Sequence, residues 1–373
     1  MRYVVCLFVL AILASCDQSN EEEKEASRKV EKIYQDSSGV VYGQSLSRYT
    51  GKAGQLVVVS DNTVFTEEVA TVFDTTFGAI IMPYKYPAVP KFEVYQVNEE
   101  KFFKGSRTLR NIVNIELTDR VKEGEPKMVI KRDYFAKRQL FTVFSAATMD
   151  DLLDILKKEL PSLCEYYEEM EWKREYWRLK DENNTVLKRK VSEQFGITME
   201  LPIRARYESV RKNFAKIMFP DRSRQMDLTS AGDHSTSKAN FIQSGILIWQ
   251  IPFKDSSQLS PDYLMRARDT LLKYNALHES PGVYMGTQDH PAILPVHRKI
   301  KIRGVEGYEF KGLFKFTGRI EPSGGKFWSF HFLHPKRNKI IAVSGYLDAP
   351  PTMSPMLDLR KIQAVLYSID YLD

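Results

Sequence analysis

Gln55-Leu56-Val57-Val58-Val59-Ser60, followed shortly by Thr66-Glu67-Glu68, is the stretch that decides the fold class of this chain. The first run is short, apolar and rich in valine, which is typical of a buried strand. Acidic residues directly after Thr66 favour the start of a helix, because carboxylates are stabilised at a helix N-terminus. Val69, Val72 and Phe73 then form one apolar stripe. A buried strand that leads into an amphipathic helix indicates a fold that mixes both kinds of element.

The rest of the first half continues this mixture. Four further β-rich or alternating runs predict strands at positions 92–97, 111–117, 127–132 and 139–145. Thr148 then caps a long helix from about Met149 to Lys180, with Asp151 three residues on. Pro161 is expected to kink or split this helix. The order strand, helix, several strands, helix predicts an α+β sandwich of ferredoxin-like type.

The second half of the long helix carries charges and two large aromatic residues. Its charged residues of both signs are Glu169, Glu171, Lys173, Arg174, Glu175 and Arg178. This mixture is typical of a solvated face, and the spacing of Glu169 and Lys173 predicts an ion pair. Trp172 and Tyr176 lie four residues apart and form a second apolar stripe. They either pack between two lobes or stay partly exposed.

A polar break at Asp181-Glu182-Asn183-Asn184 separates this half from the next. Strands are predicted there at positions 207–210, 214–219, 245–253, 299–303, 309–317, 326–333 and 339–347. A helix begins at Ser260, with Pro261 at its first position, and another ends the chain. Ser323-Gly324-Gly325 is predicted to be a hairpin turn.

These patterns predict an α+β chain of two lobes, each made of mostly antiparallel sheet packed with helices. The N-terminal lobe covers residues 51–182 and the C-terminal lobe residues 190–373. A length of 373 residues fits two domains, since domains commonly have roughly 100–200 residues. Because both halves end in strands followed by a helix, one option is that the lobes are ferredoxin-like repeats that arose by duplication.

The N-terminus has the features of a bacterial lipoprotein signal. The apolar run from Val4 to Leu13 follows a short basic start and is too short to span a membrane. Leu13-Ala14-Ser15-Cys16 then resembles the bacterial lipobox, whose cysteine thiol receives a diacylglyceryl group. We therefore predict a signal peptide at residues 1–15 and lipid attachment at Cys16. An ordinary secretory signal followed by a chance cysteine is the alternative.

Residues 16–50 are polar and predict a flexible tether. Within it, Ser19-Asn20-Glu21-Glu22-Glu23 resembles the acidic export signals of surface lipoproteins in Bacteroidetes. The alternative is a merely solvated acidic tail. The expected localisation is the bacterial outer membrane, through N-terminal acyl chains, with the folded part either exposed at the surface or on the periplasmic side.

The lipobox, the strand segments at 55–59, 245–249 and 340–346 and the helix at 263–269 together carry a resemblance to a known family. The chain resembles an uncharacterised envelope-lipoprotein family of Bacteroidetes, the domain of unknown function 4837. The resemblance covers nearly the whole chain. It implies an envelope lipoprotein but no activity, cofactor or catalytic residue.

Charge and cysteine content narrow the classes of function. The formal net charge of +6 is small for a chain of this size, so no nucleic-acid partner is predicted. Of three cysteines, Cys6 leaves with the signal peptide and Cys16 is used for lipid attachment. Only Cys164 remains, which excludes an internal disulfide. It lies in a helical pattern and is predicted to be a small core residue.

The histidines do not have the spacing of a metal site. His290 and His297 lie with Asp289 in a proline-containing loop, at intervals that fit no standard site. His331 and His334 lie three residues apart in a predicted strand and therefore face opposite sides of the sheet. We predict no metal ion, no other cofactor and no catalytic residue.

Ser235-Thr236-Ser237-Lys238 fits the Ser-x-x-Lys pattern of penicillin-binding enzymes, but the companion Lys-Thr-Gly is missing. No phosphate-binding glycine loop is present. The leading interpretation is a non-catalytic envelope module that binds a protein, glycan or lipid partner. The alternative is an envelope hydrolase acting on glycan or peptide. A deep pocket with two carboxylates or a Ser/His pair would favour the hydrolase.

Overall fold

The computed structural model describes residues 46–82, 88–223, 241–318, 323–351 and 353–371, and contacts divide these residues into two units. The first unit holds the described residues up to Gly51, Gln55–Asp74 and Val94–Pro161, and the second holds Lys52–Gly54, Thr75–Glu93 and the residues from Ser162 onward. The predicted signal peptide, Cys16, the tether as far as residue 45 and the stretch Ser235–Lys238 lie outside the described residues.

The first unit is built on one five-stranded sheet. Its strands are Gln55–Val59 (β1), Glu93–Val97 (β2), Asn111–Leu117 (β3), Lys127–Arg132 (β4) and Leu140–Ala146 (β5), in the order β2-β1-β3-β5-β4. Helix α1 covers Glu67–Thr76, short helical turns cover Glu99–Lys101 and Phe102–Ser106, and helix α2 covers Met149–Asp181. Thr148 caps α2 as predicted, since its Oγ1 accepts a hydrogen bond from the Asp151 amide at 3.2 Å.

The α+β class is confirmed, but the first sheet does not have the ferredoxin-like pattern. β1 pairs with β3, and β3 with β5, in parallel, while β4 and β5 are antiparallel. Parallel strands need a long crossover, and the chain between β1 and β3 contains helix α1 and strand β2. The near-continuous apolar run Leu56–Val59 is itself typical of such strands, because parallel strands are usually buried on both faces.

The second unit contains a nine-stranded sheet in which every neighbouring pair is antiparallel. Its strands are Arg206–Arg211 (β7), Phe214–Met218 (β8), Arg222–Ser223 (β9), Phe241–Pro252 (β10), Tyr284–Thr287 (β11), Val296–Ile302 (β12), Val305–Thr317 (β13), Gly324–Leu333 (β14) and Lys339–Asp348 (β15). A separate short pair joins Ile197–Thr198 (β6) to Asp370–Tyr371 (β16). In addition to the part of α2 from Ser162 onward, the unit contains three helices, Thr185–Phe195 (α3), Pro261–Asn275 (α4) and Met356–Tyr367 (α5). Short helical turns cover Ser256–Leu259 and Pro291–Ile293.

The middle of the large sheet is buried on both faces, which explains the apolar sequence of the inner strand β10. Ile246 and Ile248 pack in one core with residues of α5, whereas Leu247 and Trp249 pack in another with residues of α4. Successive strand residues point to opposite faces, so a helix on each side requires an apolar residue at nearly every position.

The structure differs from the sequence-based expectations in four respects. Helix α3 follows the polar break and was not predicted; Asn184 caps it, and Gly196 ends it at a φ of 72°. Pro161 is exposed and lies inside a continuous α2 rather than splitting it. Gly324 and Gly325 belong to β14 rather than to a turn. Glycine is needed at position 324 because a Cβ atom there would clash with the Phe314 carbonyl oxygen of the neighbouring strand. The five-stranded mixed sheet and the nine-stranded antiparallel sheet give the proposed repeat no support.

Candidate functional site

The C-terminal half of α2 combines an exposed ion pair with a buried one. Lys173 and Glu169 lie 2.6 Å apart with their side chains 40% and 45% exposed, which confirms the predicted surface pair. Arg174 and Glu171, however, are completely buried at 2.6 Å. The interpretation of this stretch as a solvated face is therefore wrong for these two residues and for Glu175, whose side chain is 6% exposed.

The second aromatic stripe of α2 packs inside the second unit. The half-buried Trp172 ring stacks on Tyr367, the last residue of α5, with ring centroids 5.1 Å apart and an interplanar angle of 17°. Tyr176 is also half-buried and packs against the core that contains α5. The stacked rings of Trp172 and Tyr367 therefore link α2 to α5 within the second unit.

A polar cluster surrounds Glu309 on β13. Its carboxylate is buried and accepts a hydrogen bond from the Trp328 indole at 2.7 Å, while Arg298 on β12 binds the other oxygen. The hydrogen bond to Glu309 raises the pKa of Arg298. Lys311 lies 4.0 Å from the same carboxylate and 3.9 Å from the centre of the Trp328 ring, and burial lowers its pKa. With both oxygens occupied, Glu309 stabilises the β12–β13–β14 region and is poorly placed to act as a base.

A serine and a histidine also come together, but in the core. Ser329 Oγ and His331 Nε2 lie 3.1 Å apart on β14, within the distance used by nucleophile–base pairs. Both side chains are buried, at 0% and 1% exposure. Burial, with a smaller contribution from Arg268, lowers the pKa of His331 to about 3. Such an imidazole is a weak base and has no access to a substrate.

Arg268 of α4 is the most unusual group on that face of the sheet. Its guanidinium is fully buried, lies 3.9 Å from the centre of the Phe327 ring and donates to Thr287 and, at 3.4 Å, to Asp269. Its Nε and Nη2 have no partner among the described residues. Burial lowers its pKa to about 10. These contacts fix α4 to the sheet and strand β11.

An open groove of about 450 Å³ lies between helix α3 and the edge strand β7. It is lined by Lys190, Glu193, Gln194, Tyr207 and Val210. Gln194 donates to the Arg211 carbonyl at 2.6 Å, which fixes the helix to the strand. Lys190, Glu193 and Val210 are exposed. The Tyr207 hydroxyl is buried without a partner among the described residues, and burial raises its pKa to about 12. The lining contains one carboxylate and neither serine nor histidine.

The sequence indicated this groove only in part. The hairpin that supplies Tyr207 and Val210 was predicted, whereas α3 was not. Leu187, Val191 and Phe195 are its buried residues and lie four apart. That spacing, with Asn184 as a capping residue directly before it, is a helix signal that sequence analysis missed.

The histidines considered as metal ligands do not meet. Asp289 pairs with Lys315, and His290 Nδ1 accepts a hydrogen bond from the Ala292 amide at 3.2 Å. His297 lies in strand β12 rather than in the predicted loop, against the rings of Tyr308 and Phe310, with centroids 6.0 and 5.7 Å away. In the part of the chain that the structure describes, no group of three His, Cys, Asp or Glu residues is arranged to hold a metal ion.

Cys164 occupies the core position expected of it, whereas His334 lies just beyond the end of β14 rather than in the strand with His331. His334 Nε2 lies 2.9 Å from the Gly196 carbonyl oxygen, whereas His331 lies among Trp249, Phe310 and Ser329. The two histidines therefore do not share a site. Cys164 is buried, as predicted, and burial raises the pKa of its thiol to about 12.

Comparison with known proteins divides the chain into two matched regions. Residues 49–180 match the family model of a domain of unknown function (DUF8532), and residues 184–368 match that of another domain of unknown function (DUF4837). The resemblance to the domain of unknown function 4837 is therefore supported for the second region. No curated protein matches the chain.

Two solved structures are similar at a low level. A point mutant of protein Mog1 has a TM-score of 0.29 and 11% identity, over 48% of this chain and 92% of that chain. The Saccharomyces cerevisiae Ran-binding protein Mog1p has a TM-score of 0.28 and 10% identity, over 48% of this chain and 91% of that chain. Similarity of this degree transfers no property to the chain. Separately, none of the helices within the described ranges is long and apolar enough to cross a membrane.

Proposed function

We propose that this chain is a lipid-anchored protein of the bacterial envelope whose folded part is a non-catalytic binding module. The lipobox Leu13–Cys16 supports the anchor, and the resemblance to an envelope-lipoprotein family supports the location at the outer membrane. The open groove between α3 and β7 is the observation that carries the binding role. Its volume is within the range of about 300–1,000 Å³ that small-molecule sites commonly have.

The chemistry of the groove favours a neutral glycan as the ligand. Lys190 and Glu193 contribute one positive and one negative charge, and Gln194 adds an amide. This balanced set of donors and acceptors fits hydroxyl groups better than it fits an anion or a cation. A hydrolase has less support, because the Ser329–His331 pair is buried and the groove contains a single carboxylate.

Changing Cys16 to Ala is expected to abolish labelling by a fatty-acid probe and to lower the share of the protein recovered with outer membranes. The thiol is the atom that accepts the lipid, and acyl chains contribute about 0.8 kcal/mol per buried methylene to anchoring. The measurement is metabolic labelling followed by membrane fractionation. Cys164→Ala is the control and should be labelled like the wild type. Equal labelling of the Cys16→Ala chain would contradict the anchor.

Changing Lys190 and Glu193 together to Ala is expected to weaken binding of a neutral oligosaccharide by roughly tenfold. Each lost hydrogen bond is worth about 0.5–1.5 kcal/mol, and about 1.4 kcal/mol is a factor of ten in affinity. The net charge does not change. Binding is measured by titration calorimetry with chitotriose and maltotriose as probes.

The matched control is Lys157→Ala with Glu68→Ala, an exposed pair 3.0 Å apart that lies in the first unit. It makes the same two substitutions away from the groove and should leave binding unchanged. Absence of binding by the wild type, or an equal loss in both double variants, would contradict a glycan site in the groove.

A further inference from the structure

The strand β12 leaves one edge of the large sheet open. Among the described strands it pairs only with β13, in antiparallel register from Val296↔Lys311 to Ile302↔Val305. The two strands are joined by Arg303 and Gly304, with φ values of 47° and 83°. Positive φ at both positions is the mark of a tight type I′ hairpin, which fixes the register of β12. Its outer backbone groups are therefore available for contact.

The sequence of this strand places unpaired cations on the open edge. Ile300 and Ile302 pack towards the core that contains α5, so Lys299 and Lys301 point to the opposite face and are exposed. Arg303, in the turn, is exposed as well. The structure gives these three cations no ion pair within the described residues, whereas Arg298 is neutralised by Glu309.

Acidic groups do not cancel this charge. Glu306 lies opposite Lys301 in the register and is exposed. Asp289 is already paired with Lys315. Lys299, Lys301 and Arg303 against Glu306 therefore leave a local excess of two positive charges.

Two large aliphatic side chains precede the cations in the sequence, and alternation along β12 places Val296 on the face opposite Lys299 and Lys301, so the open edge has exposed side chains on both of its faces. Leu294 is 53% exposed and Val296 is 46% exposed. Charged residues alone could serve to keep an open sheet edge from pairing with another chain. That purpose does not require exposed aliphatic residues. A sheet edge with cations on one face and an exposed aliphatic residue on the other fits anionic lipid when it is approached edge-on, because the cations then meet phosphates while the aliphatic groups enter the headgroup boundary.

We propose that the basic edge, defined as Leu294, Val296, Lys299, Lys301 and Arg303, docks on anionic phospholipid headgroups of the membrane that carries the protein. This inference rests on the proposed anchor, since a chain held at a membrane meets its headgroups at high effective concentration. The anchor and the basic edge then make two contacts with one membrane, and each strengthens the other.

The test is cosedimentation of the unlipidated mature chain, residues 16–373 with Cys16→Ser, with vesicles. We expect binding to vesicles that contain phosphatidylglycerol and none to vesicles of phosphatidylcholine alone. Lys299→Gln, Lys301→Gln and Arg303→Asn together should weaken this binding on the order of 100-fold, at a factor of about five per cation. Asn is chosen at position 303 because it tolerates positive φ. Leu294→Ser with Val296→Ser should also weaken it.

The matched control removes three exposed arginines in or just before β7, the strand at the opposite edge of the same sheet, as Arg204→Gln, Arg206→Gln and Arg211→Gln. It changes the net charge equally and should retain binding. An equal loss in both triple variants would overturn the proposal in favour of unspecific charge attraction. If the chain also binds soluble polyglutamate, and Leu294→Ser with Val296→Ser does not weaken that binding, the proposal would be overturned in favour of an acidic protein partner. Because the assayed chain carries no lipid, its result is independent of the labelling test at Cys16.

Discussion

Changing Arg174 to Met is expected to lower the free energy of unfolding by about 3–5 kcal/mol. Arg174 donates to Glu171 at 2.6 Å, and both side chains are 0% exposed. Glu171 also accepts a hydrogen bond from the Gly54 amide at 2.9 Å. Loss of the guanidinium removes the charge of Arg174 from beside a buried carboxylate, and Met fills the volume without replacing that charge.

The neighbouring residue supplies the control for this effect. Lys173→Met breaks the pair with Glu169, which has the same length but is 40% and 45% exposed. Exposed pairs contribute only about 0–1 kcal/mol, because water and salt screen both charges. Urea unfolding of the two variants in the same buffer gives the comparison. An equal loss in both would show that burial does not determine the strength of these pairs, and adding Glu171→Gln to Arg174→Met should recover part of the loss.

The contrast between these two pairs shows where reading the sequence succeeds and where it fails. The spacing of Glu169 and Lys173 predicts their pair, since residues four apart on a helix are always neighbours. Glu171, by contrast, is buried and accepts a hydrogen bond from Gly54, which is 117 positions away along the chain. No pattern inside the helix contains that information.

The same distinction explains the sheets. Asn111–Leu117 and Lys127–Arg132 are strands with the predicted bounds, because alternation and β-rich composition are local signals. The parallel pairing of β1 with β3 depends on the path of the chain through α1 and β2. For the candidate groove, two of the five lining residues lie in a predicted hairpin and three in α3, which follows the predicted boundary and for which no element was predicted. The basic edge combines a predicted strand with exposure that only the structure reveals.

Acid is expected to destabilise the second unit through His331. Burial holds the folded pKa of His331 at about 3, below its ordinary value of 6.5. The unfolded chain therefore binds a proton at this residue before the folded chain does. The contribution of neutral His331 is fully present above about pH 6.5 and is lost progressively as the pH falls from there towards 3. Between about pH 7.5 and about pH 4.5 the loss is roughly 3 kcal/mol, at about 1.4 kcal/mol per pKa unit.

Changing His331 to Gln separates this effect from the carboxylates that also titrate in acid. Gln keeps a polar group beside Ser329 but cannot take a proton. The variant should therefore have a lower free energy of unfolding than the wild type at neutral pH, and this free energy should fall less on acidification. His290→Gln makes the same change at an exposed histidine and should follow the wild type at every pH. Unfolding free energies at the two pH values give the comparison. If His331→Gln loses as much as the wild type, His331 is not the group that titrates. If the unfolding free energy of both variants falls less than that of the wild type, the effect is not specific to the buried site. A reduced loss of stability in His331→Gln alone would show that His331 is the titrating group and that its burial, with a smaller contribution from Arg268, keeps the imidazole neutral in the folded state.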